Sequence, residues 1–223
     1  MKRNQSGFTL VEIAIVLVII GLLLGGILKG QELVQNARVR NLADQQNAVQ
    51  AAYFAFQDRY RALPGDYAAA VTNIPNVVAA PAAPAILGNS RITDAERVFA
   101  WHHLTNAGFI ACPACAASPG PTAAPDNTNS LLNAYNGFMV LEYALDYAVV
   151  APAVAANVNH LKSGDQIPSN IMAEVDRKLD DGSPVTGHFR NSLTSPAACT
   201  AVGPPVIWNS LTPDPSCTAV NLF

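Results

Sequence analysis

The sequence predicts an α+β fold: a long N-terminal α-helix packed on a small antiparallel β-sheet with accessory short helices. Three observations carry this. All 16 prolines lie at or after Pro64, so the segment before it lacks the strongest helix breaker. That segment opens with an unbroken apolar run and closes with an apolar stripe at heptad spacing. Beyond Pro64, a strand-like alternation and short amphipathic helices are separated by Pro- and Gly-rich turns. The 223 residues therefore divide into one rod and one loop-rich globular domain. Formal net charge is -3, with no basic block. That argues against a dedicated nucleic-acid surface, which needs a Lys/Arg stripe to displace counterions.

The chain opens "MKRNQSG", short and polar, with Lys2 and Arg3. Residues 8–28 then read "FTLVEIAIVLVIIGLLLGGIL", in which Glu12 is the only formal charge. At 1.5 Å per residue this run makes a helix of roughly 30 Å, one hydrocarbon thickness. The basic residues precede the span, so the N-terminus is expected to stay cytoplasmic while the rest crosses. A secretory signal would have an apolar region of about 7–15 residues and then a small-residue cleavage site. Here the run is longer, and "LKGQELVQNARVRN" follows it without such a site. The small residue, Gly7, comes before the run instead.

"GFTLVE" followed by an unbroken apolar helix resembles the processing and assembly motif of type IV pilins and pseudopilins. The resemblance implies a leader at 1–7, cut after Gly7 by a membrane-embedded prepilin peptidase. It implies N-methylation of the new first residue, Phe8, and a role for Glu12 in assembling a helical filament. The span at 8–28 becomes the transmembrane and assembly helix. The chemistry of Glu12 points the same way. An acid at mid-bilayer depth costs roughly 2.5–3.5 kcal/mol and usually has a partner or a task. Glu12 is near one end of the span, hence shallower. Cleavage would create an amine on Phe8, four residues away on the same helix face. The pair can neutralise itself within one helix. Between subunits it would fix register, as a buried polar residue does in a coiled coil. A plain signal-anchor helix with an incidental glutamate is the competing reading. One departure from the family is Lys29, where many type IV pilins have a proline tied to local helix melting. Gly21, Gly25, Gly26 and Gly30 weaken the helix instead and allow close helix approach. The missing proline tilts the reading toward a pseudopilin or minor subunit.

The helical signal continues over 29–63, and residues 32–63 contain neither Gly nor Pro. Leu42, Val49, Phe56 and Leu63 recur at heptad spacing, with Tyr53 and Tyr60 between the later ones. Such a stripe binds a partner helix in a coiled coil or packs on the chain's own domain, and the second is favoured. Arg38, Arg40 and Asp44 are expected to face filament neighbours. "LPG" at 63–65 ends the helix, which would be on the order of 80 Å long.

The globular part, 64–223, opens with a turn in which Pro64 fixes φ and Gly65 permits positive φ. An irregular Ala/Pro-rich loop, "VTNIPNVVAAPAAPAILGN", follows. "TDAERVFAWHHLTNAGF" reads as a short helix with a Thr93/Glu96 capping box, a Gly108 stop, and Val98, Trp101 and Leu104 inside. His102 and His103 are adjacent and about 100° apart, so they cannot chelate as an i, i+4 pair would. They are expected at the surface and rim. "FMVLEYALDYAVV", 138–150, alternates like a half-buried strand, with Glu142 and Asp146 opposite the apolar face. "PSNIMAEVDRKLDDG" reads as a helix with Ile171, Val175 and Leu179 on its stripe. "PVTGHFR" reads as a strand with Val185 and Phe189 on one face.

All four cysteines lie at or after Cys112. Delivery across a membrane into an oxidising compartment favours disulfides, and four cysteines allow three pairings. Cys199 and Cys217 enclose a Pro-rich C-terminal loop, and joining them would stabilise by about 3 kcal/mol in the chain-entropy model. The resemblance agrees, since many pilins staple a C-terminal loop this way. Cys112 and Cys115 could close a tight local disulfide. A redox-active C-x-x-C lacks its usual strand–motif–helix context, and a four-cysteine zinc site lacks the second C-x-x-C. No nucleophile, phosphate-loop or metalloprotease motif is present. Asp126, Thr128 and Ser130 start like a calcium loop, but Leu131 and Gly137 replace its Gly and Glu. Asp176, Asp180 and Asp181 cluster near a turn without a ligand motif. The sequence thus predicts a non-enzymatic filament subunit without cofactor or metal. Its partners are other copies or related pilin subunits, the prepilin peptidase and the inner membrane, with no nucleic acid. It is expected as a single-pass inner-membrane protein with a periplasmic C-terminal domain, then in an extracellular or periplasmic filament. A minor pseudopilin of a type II secretion system, or a membrane-anchored periplasmic binding module or enzyme, are the alternatives.

Overall fold

The computed structural model describes residues 10–78, 87–117, 119–120, 123–150, 153–201 and 203–223. The leader at 1–7, the cleavage site at Gly7 and the methylation site at Phe8 lie outside the described residues. Helix α1 comprises Leu10–Tyr60. The chain forms two units, one up to Arg38 and one from Val39 onward.

In the first unit the helix exposes apolar side chains all round, including Leu10, Val11, Ile13, Leu17, Leu24 and Leu28. A helix apolar on every face belongs in lipid or inside protein, not in water. This one is long and apolar enough to cross a membrane. Helical backbone continues through Gly21, Gly25, Gly26 and Gly30. Lys29 pairs with Glu32 at 2.7 Å.

In the second unit the same helix becomes one-sided. Val39, Leu42, Ala43, Gln46, Val49, Ala52, Tyr53 and Phe56 are buried, three or four residues apart on one face. The helix ends at Tyr60, earlier than the expected Leu63. The Arg61 amide still bonds the Gln57 carbonyl at 2.8 Å, but its φ of 53° turns the chain out of the helix. That turn brings Leu63 back into the core.

Strands β1 (Val140–Ala144), β2 (Val158–Lys162), β3 (Phe189–Asn191) and β6 (Ala219–Leu222) form an antiparallel sheet in the order β1-β2-β6-β3. Strands β4 (Thr200–Ala201) and β5 (Ile207–Trp208) pair separately. Leu141 lies opposite Leu161, and both join Val49, Phe56, Trp101 and Met139 in one core cluster. A second cluster collects Val39, Leu42, Ile171, Val175, Phe189 and Trp208. Both edges of the sheet are occupied. Beside β1, Met139 donates to Leu131 O and Tyr143 to Ile92 O, each at 2.7 Å. Beside β3, Asn191 donates to Pro184 O at 2.8 Å, and its carbonyl accepts Ala148 N–H at 2.9 Å. Covered edges of this kind suppress strand addition between chains.

Among the described residues, three short α-helices complete the fold: α2 (Ala70–Asn73), α3 (Arg97–Asn106) and α4 (Ser169–Leu179). Helix α2 stands inside the segment expected to be irregular. The Thr93/Glu96 pair forms one turn ahead of α3: Glu96 Oε2 accepts Thr93 N–H at 2.7 Å and Thr93 Oγ1–H at 2.6 Å. After α3, Gly108 has φ 80°, and Phe109 N–H returns to Leu104 O at 3.0 Å, closing the helix as its glycine stop implied. The long strand expected over 138–150 shortens to β1. Beyond Ala144 the chain leaves the sheet, held by Tyr147 Oη, which bonds both N–H and O of Ala156 at 3.0 Å. The strand expected in "PVTGHFR" begins only at Phe189, because a turn at Pro184 and Val185 precedes it.

Gly65 is the tight joint between the end of α1 and the start of α3. Its φ is 89°, and a Cβ there would meet the Glu96 carbonyl oxygen at 2.7 Å. Its N–H donates to His103 Nδ1 at 3.0 Å. Gly65→Ala should therefore destabilise the globular unit by roughly 1–3 kcal/mol. Denaturant unfolding of the full chain in detergent, followed by tryptophan fluorescence, checks this.

Candidate assembly site

Glu12 sits in the first turn of α1, where the helix dipole favours a carboxylate. Leu10, Val11, Ile13, Ile15 and Val16 around it are exposed. Over residues 10–28 this is one acidic group on an otherwise apolar stretch of helix, chemistry suited to pair with an amine away from water. Arg38, Arg40 and Asp44, expected to face neighbours, are exposed.

The globular unit carries its polar chemistry inward. Glu142 and Asp146, expected on a solvent face, are 4% and 6% exposed. Arg97 Nη2 lies 2.6 Å from Glu142 Oε2 and 2.5 Å from Asp94 Oδ1. Lys162 Nζ lies 2.6 Å from Asp146 Oδ2 and 3.7 Å from Glu142 Oε1. His160 Nε2 is 3.3 Å from Glu142 Oε1, placed by the register that sets the two residues opposite each other. Ser192 Oγ donates to both oxygens of Asp146 at 2.9 Å. Burial raises the Glu142 carboxyl, but the His160 hydrogen bond and the charges of Arg97 and Lys162 outweigh it and hold Glu142 below the usual range. Although Glu142, Asp146 and His160 converge closely enough to ligate an ion, Arg97 and Lys162 already neutralise the two carboxylates. This is a structural ion network.

Residues 2–28 match the prokaryotic N-terminal methylation motif. The chain carries a prepilin-type N-terminus. Motif and long apolar helix together fit the type IV pilin and pseudopilin superfamily. No curated protein and no solved structure matches the chain. A prepilin motif implies processing by a prepilin peptidase, assembly with other pilin subunits, and anchoring in a membrane.

Beyond this N-terminus the structure joins Cys199 to Cys217 and Cys112 to Cys115. The first bridge lies in the second core cluster with Trp208. The second flanks a 3₁₀ turn at Pro113–Ala116. His102 and His103 are 1% and 0% exposed, contrary to the surface position expected. Helix α3 is covered on every side: Phe56 stacks on His103 with centroids 6.2 Å apart, and Cys115 O meets His102 Nδ1 at 3.1 Å. "VFAWHHL" is apolar all round its helix apart from the histidines, and that was the signal of burial in the sequence. Burial and the neighbouring His102 push His103 down to about 3, so it stays neutral and accepts the Gly65 N–H. In the loop that starts like a calcium site, Asp126 Oδ1 accepts both N–H and Oγ1–H of Thr128 at 2.7 Å. Thr128 thus satisfies the carboxylate locally.

Asp176, on α4, is fully buried. Its Oδ2 accepts Trp208 Nε1–H at 2.7 Å and its Oδ1 accepts Gly182 N–H at 3.1 Å. Burial, together with Asp181 and Asp180, still raises it to about 6. A folded-state value above the unfolded one means that its contribution is complete in acid and is lost as pH rises through about 6. Thermal unfolding should therefore show a stability decline across that pH, and Asp176→Asn should flatten it. Lys162→Met should cost about 3–5 kcal/mol, the range for breaking a buried pair, measured by denaturant titration.

Proposed function

We propose that this chain is the structural subunit of a type IV pilus-like filament. It enters the inner membrane through residues 8–28, is cut after Gly7, is methylated on Phe8, and polymerises through α1. The observation that carries this reading is the methylation motif at residues 2–28 continuing into a helix whose apolar side chains are exposed all round. Burial of that helix against other copies would remove a large apolar area from water or lipid. Glu12 then has one task, pairing with the Phe8 amine of its own helix or of a neighbour's. The covered sheet edges favour helix-mediated assembly over strand addition. Residues 29–63 would be the periplasmic half of the helix. Residues 64–223 would form the displayed pilin-like domain, closed by the Cys199–Cys217 loop, and the role is structural rather than enzymatic.

A minor pseudopilin of a type II secretion system is the second reading. Lys29 favours it, because the helix holds no proline and runs unbroken to Tyr60. A membrane-anchored periplasmic binding module or enzyme that uses the same leader would be processed but would not polymerise.

Gly7→Ala is expected to block leader removal, read as an unshifted band when the prepilin peptidase is co-expressed. Glu12→Ala should insert and be processed normally yet be lost from sheared filaments. Wild-type-like incorporation of that variant would remove the assembly role. A processed wild-type chain that never co-purifies with filaments would favour the anchored-module reading.

A further inference from the structure

A cleft of about 400 Å³ opens beside the strand ends of the globular unit, and the filament reading gives it no task. Small-ligand sites start at about 300 Å³. Leu141 and Leu161 point into the core. Their neighbours Val140 and Lys162, paired across β1 and β2, therefore point to the other face of the sheet. Both line the cleft, together with Phe138, Asp165, Ser216 and Thr218.

The walls are tied together by the fold itself. Asn133 Nδ2 donates to Ser163 O at 2.9 Å and to Asp165 O at 3.1 Å, while its Oδ1 accepts Gly137 N–H at 3.0 Å. A Cβ on Gly137 would meet Asp165 O at 2.3 Å, so only glycine lets these two segments approach so closely. At the base of the Cys199–Cys217 loop, Cys217 N–H donates to Ile167 O at 2.9 Å. Ser195 Oγ donates to Thr218 O at 2.6 Å and accepts Thr218 N–H at 2.8 Å.

The charges along the cleft are unequal. Lys162 Nζ lies 2.6 Å from Asp146 Oδ2 and donates to Thr194 Oγ1 at 3.2 Å, so its charge is already matched. Asp165 is exposed. Asp214 Oδ1 accepts Ser216 N–H at 2.8 Å, which sets a second carboxylate beside the cleft. Among the described residues, no Lys, Arg or His forms an ion pair with Asp165 or Asp214. An anion would face these two carboxylates and find Lys162 engaged. An uncharged ligand would leave Asp165 unmatched. An ammonium on an aliphatic stem answers each part of the surface. Its three N–H groups need acceptors only, and the Asp165 carboxylate and the hydroxyl oxygens of Ser216 and Thr218 are acceptors. Its stem needs an apolar bed, and Phe138 and Val140 provide one.

We propose that this cleft binds an alkyl-ammonium group, the chemistry shared by a lysine side chain of a partner polypeptide and a free aliphatic diamine. Asp165 takes the charge, Ser216 and Thr218 accept the remaining N–H groups, and Phe138 and Val140 cover the stem.

The test is amide NMR on the isotope-labelled full chain in detergent micelles, titrated with Nα-acetyl-lysine methylamide, with cadaverine, and with the norleucine and glutamate analogues of the lysine probe. Saturable shifts at Gly164, Asp165 and Thr218 are expected with an amine probe and not with the two analogues. The tighter amine names the source, partner chain or free diamine. Asp165→Asn and Phe138→Ala should each weaken that binding several-fold, and added salt should weaken it in the wild type. Equal shifts with the norleucine or glutamate probe overturn the site. So do unchanged binding in Asp165→Asn and the lack of any saturable shift at these amides. The probe series on the wild type decides even where a variant fails to fold, and filament incorporation does not enter the readout.

Discussion

The apolar stripe of α1 that begins at Val39 meets the inner face of the sheet, and the globular unit is arranged to keep that contact dry. Phe56 lies near its centre, fully buried, with Tyr60, Tyr67, Phe109 and His103 around its ring. Burying a side chain of that size contributes roughly 1.5–3 kcal/mol, and the stripe repeats this at Leu42 and Val49. Aromatic packing continues to the C-terminus, where Phe223 lies 4.5 Å from Tyr53 between ring centroids. The last residues of the chain thus belong to the core of the helix that begins it.

A sheet with one face committed to a helix must still dispose of its edges and its other face. The edges are closed by Leu131, Ile92, Pro184 and Ala148. Under the segment that follows β1, Glu142, Asp146, His160, Lys162 and Arg97 form the ion network. Such a network adds little over an apolar packing of the same volume, but losing one member is costly. Its geometric effect is to hold the segment after β1 near β3, with Asp146 bonded to Ser192 and Thr194.

The same chain solves two solvation problems with one helix. Up to Arg38, α1 keeps apolar groups on every side, with Lys29 and Glu32 paired at its surface. From Val39 it confines them to one face. An all-round apolar segment suits lipid, and a one-sided segment suits packing on the chain's own domain. Hydrogen bonds inside the helix satisfy the backbone in either medium.

The N-terminal motif, the apolar span and the stripe at Leu42, Val49 and Phe56 were legible in the sequence because they depend only on local order and helical period, whereas Leu63 reaches the core through the turn after Tyr60. So was the α+β class, from one alternation and two amphipathic helices. Residues Gly7 and Phe8 remain a reading of the motif. The inward turn of Glu142 and Asp146 was not legible, since it requires the register that sets Glu142 against His160 and a chain reversal beyond Ala144. His102 and His103 were misplaced because their adjacent spacing was read alone, while the apolar residues all round that helix signalled burial. The bonds from Gly88, Asn89 and Ser90 to Asp66 likewise join a turn and a loop far apart in the chain. Periodicity reports which face a residue occupies on its own element, whereas only the tertiary structure decides what stands opposite that face.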